Sequence, residues 1–198
     1  MLTDGLIIYT IREKMRLETT RMPKNTSIYK VLPWHKIKNL KAAKVNLKDL
    51  GAFQTIFWKM INTCIVENGI GLAATQVGIF KQIIVIRDFD IIDIVKVEPL
   101  NTFKVYLNPS WTNVGPDKIK STESCLSVDG SDYSIERYKT IAFKWEEVVF
   151  GEDGKPFFQE HKETLEDFRS IVAQHEHDHL KGISIPQRWE MQNPRNKK

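Results

Sequence analysis

The sequence predicts an α+β domain with antiparallel sheet segments packed around a buried C-terminal helix. Three observations predict it. An amphipathic helical stretch comes early, several β-rich runs and a hairpin loop follow, and a last helix carries His175-Glu176-His177-Asp178-His179 on its inward stripe. At 198 residues, 41% hydrophobic and 27% charged, the chain suits one domain with a sizeable core. Its net charge of +4 is mild and reads first as a solvated surface with a few extra lysines and second as weak attraction to an anionic partner, not as sequence-specific binding of nucleic acid. No apolar run approaches the roughly eighteen residues of a membrane span, and the start is too acidic for a secretory signal. Cys64 and Cys125 lie in dissimilar contexts, so a reduced, cytoplasmic setting is expected.

Residues 1–46 mix scattered basic residues with short apolar groups punctuated by Pro23 and Pro33. They read as an irregular N-terminal segment packed on the domain. Over 47–68, Leu50, Phe53, Phe57, Met60, Ile61 and Cys64 keep the three-four spacing of a buried helical stripe, and Asn68-Gly69 provides a stop. Cys64 on that stripe reads as a small core residue. Strands are expected over 82–86 and 103–107, joined by an acidic connection around Asp88 to Glu98, and again over 140–145. Residues 148–150 and 157–159 flank a Gly- and Pro-containing hairpin loop. The last helix is expected to open at Thr164 with Asp167 completing an approximate capping box, and to end at Gly182. Pro186 is expected to prevent its resumption, leaving 187–198 as a polar, basic tail that frays.

Phe168, Val172, His175 and His179 follow one another at spacings of four, three and four, so the two histidines continue the apolar face. They lie one turn apart, about 40° from each other around the axis, and can reach one divalent ion. Burying two imidazoles without partners would cost several kcal/mol, on the order of the price of unsatisfied polar groups, which favours a ligand pair over core histidines. Glu176 flanks that ion, where its carboxylate can take a proton from a bound water. Catalytic sites of this kind use three protein ligands. His35 and His161 lack supporting motifs and Glu190 lies in a poor context after Pro186, whereas Cys125 sits in a polar segment entering a strand, where an ion would deprotonate it. Gly69-Ile70-Gly71 admits two readings, a tight helix-to-strand turn or a weak phosphate loop. The second fails because no lysine follows at nucleotide-site spacing.

Three segments together resemble the peptide deformylase family, in its order: Gly69-Ile70-Gly71-Leu72-Ala73-Ala74-Thr75-Gln76, Glu123-Ser124-Cys125-Leu126-Ser127, and His175-Glu176-His177-Asp178-His179. Asn108-Pro109 matches a further pairing, and the resemblance covers about residues 47–182. It implies a deformylase-like fold, with 47–186 as the catalytic metallohydrolase domain. It implies removal of the formyl group from N-formylmethionyl nascent peptides in the cytoplasm, with release of formate. Cys125, His175 and His179 would hold the metal, with Fe(II) as the native ion and Zn(II), Ni(II) or Co(II) as alternatives. Glu176 would be the acid/base, and the Gln76 amide and Leu126 N–H would stabilise the oxyanion. Gly71 would contact the peptide main chain. Ile70, Val172 and Ile135 are candidates for an apolar pocket. Glu123 and Arg137 match the spacing of an ion pair behind the ligands. The remaining partner implied is a transient ribosome contact.

Two departures stand out. Ser124 replaces the family's glycine before the cysteine, which would bring strain if that position needs positive φ. Residues 1–46 lack the family's usual opening. His177, opposite the ligands, reads as structural, and Asp178 as a local hydrogen-bonding or solvent-facing residue. The alternatives are a metallopeptidase sharing the His-Glu-x-x-His logic, and a deformylase-like binding protein without turnover.

Overall fold

The computed structural model describes residues 9–10, 27–88, 102–151 and 153–194. Most of the expected acidic connection (89–101), most of 1–26, and 195–198 lie outside the described residues. In chain order the elements are β1 (Tyr9–Thr10), α1 (Trp34–Ile37), α2 (Phe53–Val66), β2 (Gly71–Ala73), β3 (Ile83–Arg87), β4 (Phe103–Asn113), β5 (Lys118–Glu123), β6 (Tyr133–Tyr138), β7 (Thr140–Phe150), β8 (Pro156–Glu166), α3 (Asp167–Leu180) and α4 (Ile185–Gln192).

The larger sheet is antiparallel and runs β1-β7-β4-β3-β2, with β8 also paired to β7; β5 and β6 form a separate antiparallel pair. Helices cover both faces of the larger sheet, and β3 shows why its sequence is an unbroken apolar run. Ile83 and Val85 join the cluster around Phe53, Phe57, Met60 and Cys64 of α2. Ile84 and Ile86 join the cluster containing Val172, Ala173 and Leu180 of α3. A strand buried on both faces has no polar side to show. In α2 the β-branched Thr55, Ile56, Ile61 and Thr63 are indifferent helix formers, at roughly 0.7 kcal/mol or less each. Full burial of Phe57 and Met60 is worth about 1.5–3 kcal/mol apiece, so packing decides the helix.

Several local expectations change. Residues 47–52 form a 3-10 turn, so the α-helix itself starts at Phe53. Asn68 takes φ 54°, the left-handed stop expected there. The segments 140–145 and 148–150 belong to one strand, β7, which pairs along its whole length with β8. Because β8 continues to Glu166, the last long helix begins at Asp167 and no Thr164 capping box forms. The chain turns from strand to helix at Asp167 itself, at φ 47°, where its N–H donates to the Lys139 carbonyl. Pro186 starts a helix instead of preventing one. It occupies the first turn of α4, where its missing N–H costs nothing, behind a Ser184–Gln187 capping box. Residues 187–192 therefore do not fray; Gln192 clasps the backbone N–H and carbonyl of Glu136 on β6.

Residues 27–46 hold little regular structure but are tied down by backbone hydrogen bonds: Leu32 to Gln76, Trp34 to Ser127, Asn39 to Gly182 and Ala42 to Leu180. At Asn108-Pro109 the β4–β7 register shifts, as proline cannot donate to the ladder. The Asn108 side chain, on a φ of 48°, accepts from the Val45 N–H and donates to the Val45 carbonyl and Glu146. Among the described residues no helix is long and apolar enough to cross a membrane.

Candidate metal centre and substrate cleft

Three segments far apart in sequence meet beside α3. The turn after β5 brings Cys125, α3 brings His175 and His179, and the 3-10 turn Ala74–Val77 brings Gln76. Cys125 leaves a strand; it does not enter one, as the sequence had suggested. Its Sγ lies 3.3 Å from His179 Nε2, which lies 3.1 Å from His175 Nε2, and the three donor atoms fall within 4.8 Å of one another. This set of one thiol and two imidazoles fits a tetrahedral divalent ion with a position left open.

The surroundings favour that role. Glu123 Oε2 lies 2.9 Å from His175 Nδ1, which fixes the ring and leaves Nε2 to face the thiol. Burial alone would raise the Glu123 carboxyl, but hydrogen bonds from Arg137 and His175 outweigh it and bring it down to about 2. Burial likewise opposes charge on His175, yet its bonds to Cys125 and Glu123 push it up to about 10. Burial would raise the Cys125 thiol; the facing His179 and His175 hold it well below its ordinary value. Glu123 and Cys125 are thus biased toward the negative charge that suits a cation, whereas the positive bias of His175 is drawn by those same partners and would be surrendered to an ion, which takes the neutral ring.

Glu176 is different. It is buried, its pKa is raised chiefly by that burial, and its Oε2 has no hydrogen-bond partner among the described residues. A buried carboxylate oxygen left unpaired is costly, and it points to a ligand or proton to be held there. Gly71 stands against it: a Cβ at Gly71 would come within 2.5 Å of Glu176 Oε1. The glycine is required for close approach, since its φ is not positive.

Gln76 is held by both ends of its amide. Its Oε1 accepts from the Ala73 N–H at 2.8 Å, so its Nε2 is aimed at Cys125 Sγ (3.6 Å) and Ser127 Oγ (3.3 Å). The Leu126 N–H has no hydrogen-bond acceptor among the described residues. β2 ends the sheet, so its outer edge is unpaired among the described strands. The resulting cleft, about 500 Å³, is lined by Ile70, Gly71, Gln76, Cys125, Leu126 and Glu176, together with apolar Ile171 and Val172. Ile70 and Val172 line it as expected; Ile135 does not, being fully buried on β6. Ser124 lies at the rim and is not among the residues with positive φ, so serine brings no backbone strain there.

Asp178 corrects the sequence reading. It is neither local nor solvent-facing: it is buried and accepts from Arg137 at 2.5 Å and from two nitrogens of Arg188. Those arginines hold its carboxyl below the usual range despite burial. Sequence reading missed both Arg188 and this role, because both depend on α4; the Ser184-x-x-Gln187 box was the available signal. His177 faces away from the site and accepts from the Trp111 indole N–H at 3.0 Å.

The family model described as Polypeptide deformylase matches residues 30–195. A peptide deformylase of Leptospira biflexa is 32% identical over 146 residues, covering 74% of this chain and 75% of that protein. One from Aquifex aeolicus is 36% identical over 129 residues, covering 65% and 68%. Among solved structures, the actinonin-bound class I type b peptide deformylase of Acinetobacter baumannii superposes with a TM-score of 0.65 at 25% identity, covering 82% of this chain and 98% of that one. The Thermotoga maritima peptide deformylase gives 0.63 at 27% identity, covering 81% and 97%.

Proposed function

This chain belongs to the peptide deformylase family, and we propose that it hydrolyses the N-formyl group of N-formylmethionyl nascent peptides through the centre at Cys125, His175 and His179. The observation that carries the reading is the unpartnered Glu176 carboxylate oxygen beside a convergent thiol–imidazole set. Cys125, His175 and His179 would hold a divalent ion, which would supply Lewis acidity and make the attacking water easier to deprotonate.

The chain's residues do the rest. Glu176 accepts the proton of the attacking water; with its pKa raised by burial, it can hold that proton and then deliver it to the leaving amine nitrogen. The formyl carbon gains the water oxygen and loses the peptide nitrogen, giving formate and a free N-terminus. The Gln76 Nε2 and Leu126 N–H are the donors for the oxygen that becomes negative, worth on the order of 2.7–4 kcal/mol each in the barrier. The free edge of β2 at Gly71 receives the peptide backbone as an added strand. Ile70, Ile171 and Val172 offer apolar surface to the methionine side chain.

Fe(II) is the proposed native ion, since a thiolate–imidazole set with an open position suits it as well as Zn(II), Ni(II) or Co(II). The proposed catalytic unit is 47–186 together with the remainder of α4 to Gln192, and the proposed setting is the cytoplasm. A transient ribosome contact is supported by charge: residues 27–48 carry six exposed lysines and no acidic residue.

The test is formate release from a formyl-Met tripeptide by protein loaded anaerobically with Fe(II), Ni(II) or Zn(II), with Glu176→Ala as control. Metal-dependent release absent from the variant supports the reading. Stoichiometric metal without release would favour a binding protein, and cleavage of unformylated peptides a peptidase.

A further inference from the structure

We propose that Arg188, on the C-terminal helix, is a positioning residue for the candidate metal ligand His175, acting through a continuous chain of largely buried charges. The inference rests on the reading of Cys125, His175 and His179 as the metal set.

The chain of contacts is continuous. Arg188 Nε donates to Asp178 Oδ2 at 2.9 Å, and a second Arg188 nitrogen reaches Asp178 Oδ1. The same Asp178 carboxylate receives Arg137 through one terminal nitrogen at 2.5 Å. Arg137 spends its Nε and other terminal nitrogen on the two oxygens of Glu123, both at 2.8 Å. Glu123 Oε2 then meets His175 Nδ1 at 2.9 Å. Asp178, Arg137 and Glu123 are each about 95% buried, so solvent does not screen the chain. Two carboxylates and two guanidiniums alternate and balance. Arg188 is its one partly exposed member, at 26%, and it comes from α4, beyond the end of the helix that carries the histidines.

Removal of Arg188 would leave Asp178 buried with one cation for two acids. Among the described residues Arg137 is the remaining donor to Asp178, and any shift toward it comes at the expense of the paired grip of Arg137 on Glu123. Glu123 then loses the fixed orientation that presents Oε2 to His175 Nδ1. Partners behind a metal ligand matter to the extent that their loss costs about 10–100-fold in metal affinity. α4 is therefore part of the metal centre as well as a cap over the β5–β6 pair. A bidentate arginine suits Asp178, whose two oxygens are both engaged, and a lysine would replace only the charge.

The experiment measures Zn(II) affinity by chelator competition on the full chain, together with the visible spectrum of the Co(II)-loaded protein and the melting temperature. Arg188→Ala is expected to bind Zn(II) about 10–100-fold more weakly and to alter the Co(II) spectrum, with Arg188→Lys recovering part of the affinity. The control is Gln192→Ala, which removes the clasp of α4 on Glu136 without touching Asp178; it is expected to lower the melting temperature and leave affinity within about threefold. Affinity of Arg188→Ala within threefold of wild type, or an equal loss in Gln192→Ala, would overturn the proposal. Failure of the wild-type protein to bind Zn(II) at all would instead sink the metal reading, and the proposal with it.

Discussion

The two faces of α3 carry the same residue types to opposite ends. His175 and His179, on the front, face a thiol, and Glu123 accompanies His175 there; the charge around His175 raises it to about 10. His177, between them in sequence and on the back, is brought down to about 4, by burial first and by the nearby Lys181 charge. It is held neutral as the acceptor of the Trp111 indole. The acids divide in the same way. Front-facing Glu176 keeps an oxygen without a partner, whereas Asp178 has every oxygen occupied by arginine. A side chain's chemistry here follows from what faces it. An unsatisfied group costs stability and is expected where chemistry is done, while satisfied groups hold the frame.

That division can be broken deliberately. Glu176→Gln attacks the front alone: kcat for formyl-Met peptides should fall on the order of 10²–10⁴-fold with metal content intact, and the melting temperature should not drop, because a buried charge is removed. A melting temperature that falls sharply would place Glu176 in the frame instead. Gly71→Ala pushes a methyl group against the same carboxylate, and displacing a catalytic group by about 1 Å costs on the order of 10²-fold in kcat/KM. Unchanged kinetics in that variant would mean the carboxylate position is not critical.

The His177–Trp111 contact should answer in stability only. Trp111→Phe deletes the donor to His177 and is expected to lose about 1–3 kcal/mol in urea unfolding while kcat/KM stays put. The pH dependence sharpens the contrast further. Below its ordinary value of 6.5 the unfolded chain protonates His177, but the folded chain does not until about pH 4, so this contribution is complete above pH 6.5 and fades as pH falls. Between pH 7 and 5 the wild type should lose ~2 kcal/mol more stability than His177→Gln, which keeps an acceptor for Trp111 without titrating. Parallel pH profiles of the two proteins would contradict a buried, neutral His177.

The front face was legible in the sequence because its signals are local. His175, Glu176 and His179 share one helix, Cys125 stands in a polar segment, and the Gly69–Gln76 and Glu123–Ser127 patterns add their own spacing. The α+β class was legible for the same reason, through the apolar stripe of α2 and the run in β3. The back of the site was not. Asp178 looked like a solvent-facing helix residue, since the partners that bury it, Arg137 and Arg188, come from a distant strand and from a helix that Pro186 seemed to forbid. Strand ends were misplaced where pairing overrides composition: β8 runs through charged Glu163 and Glu166 because β7 pairs with it residue for residue. Ser124 raised a question of strain that only its backbone angle could answer.

X-ray absorption at the zinc edge of the Zn(II)-loaded protein tests the division between the faces most directly. The account predicts one sulfur near 2.3 Å and two imidazole nitrogens at about 2.0–2.1 Å, with a lighter oxygen completing four ligands. A shell of nitrogen and oxygen alone, unchanged in Cys125→Ala, would contradict it.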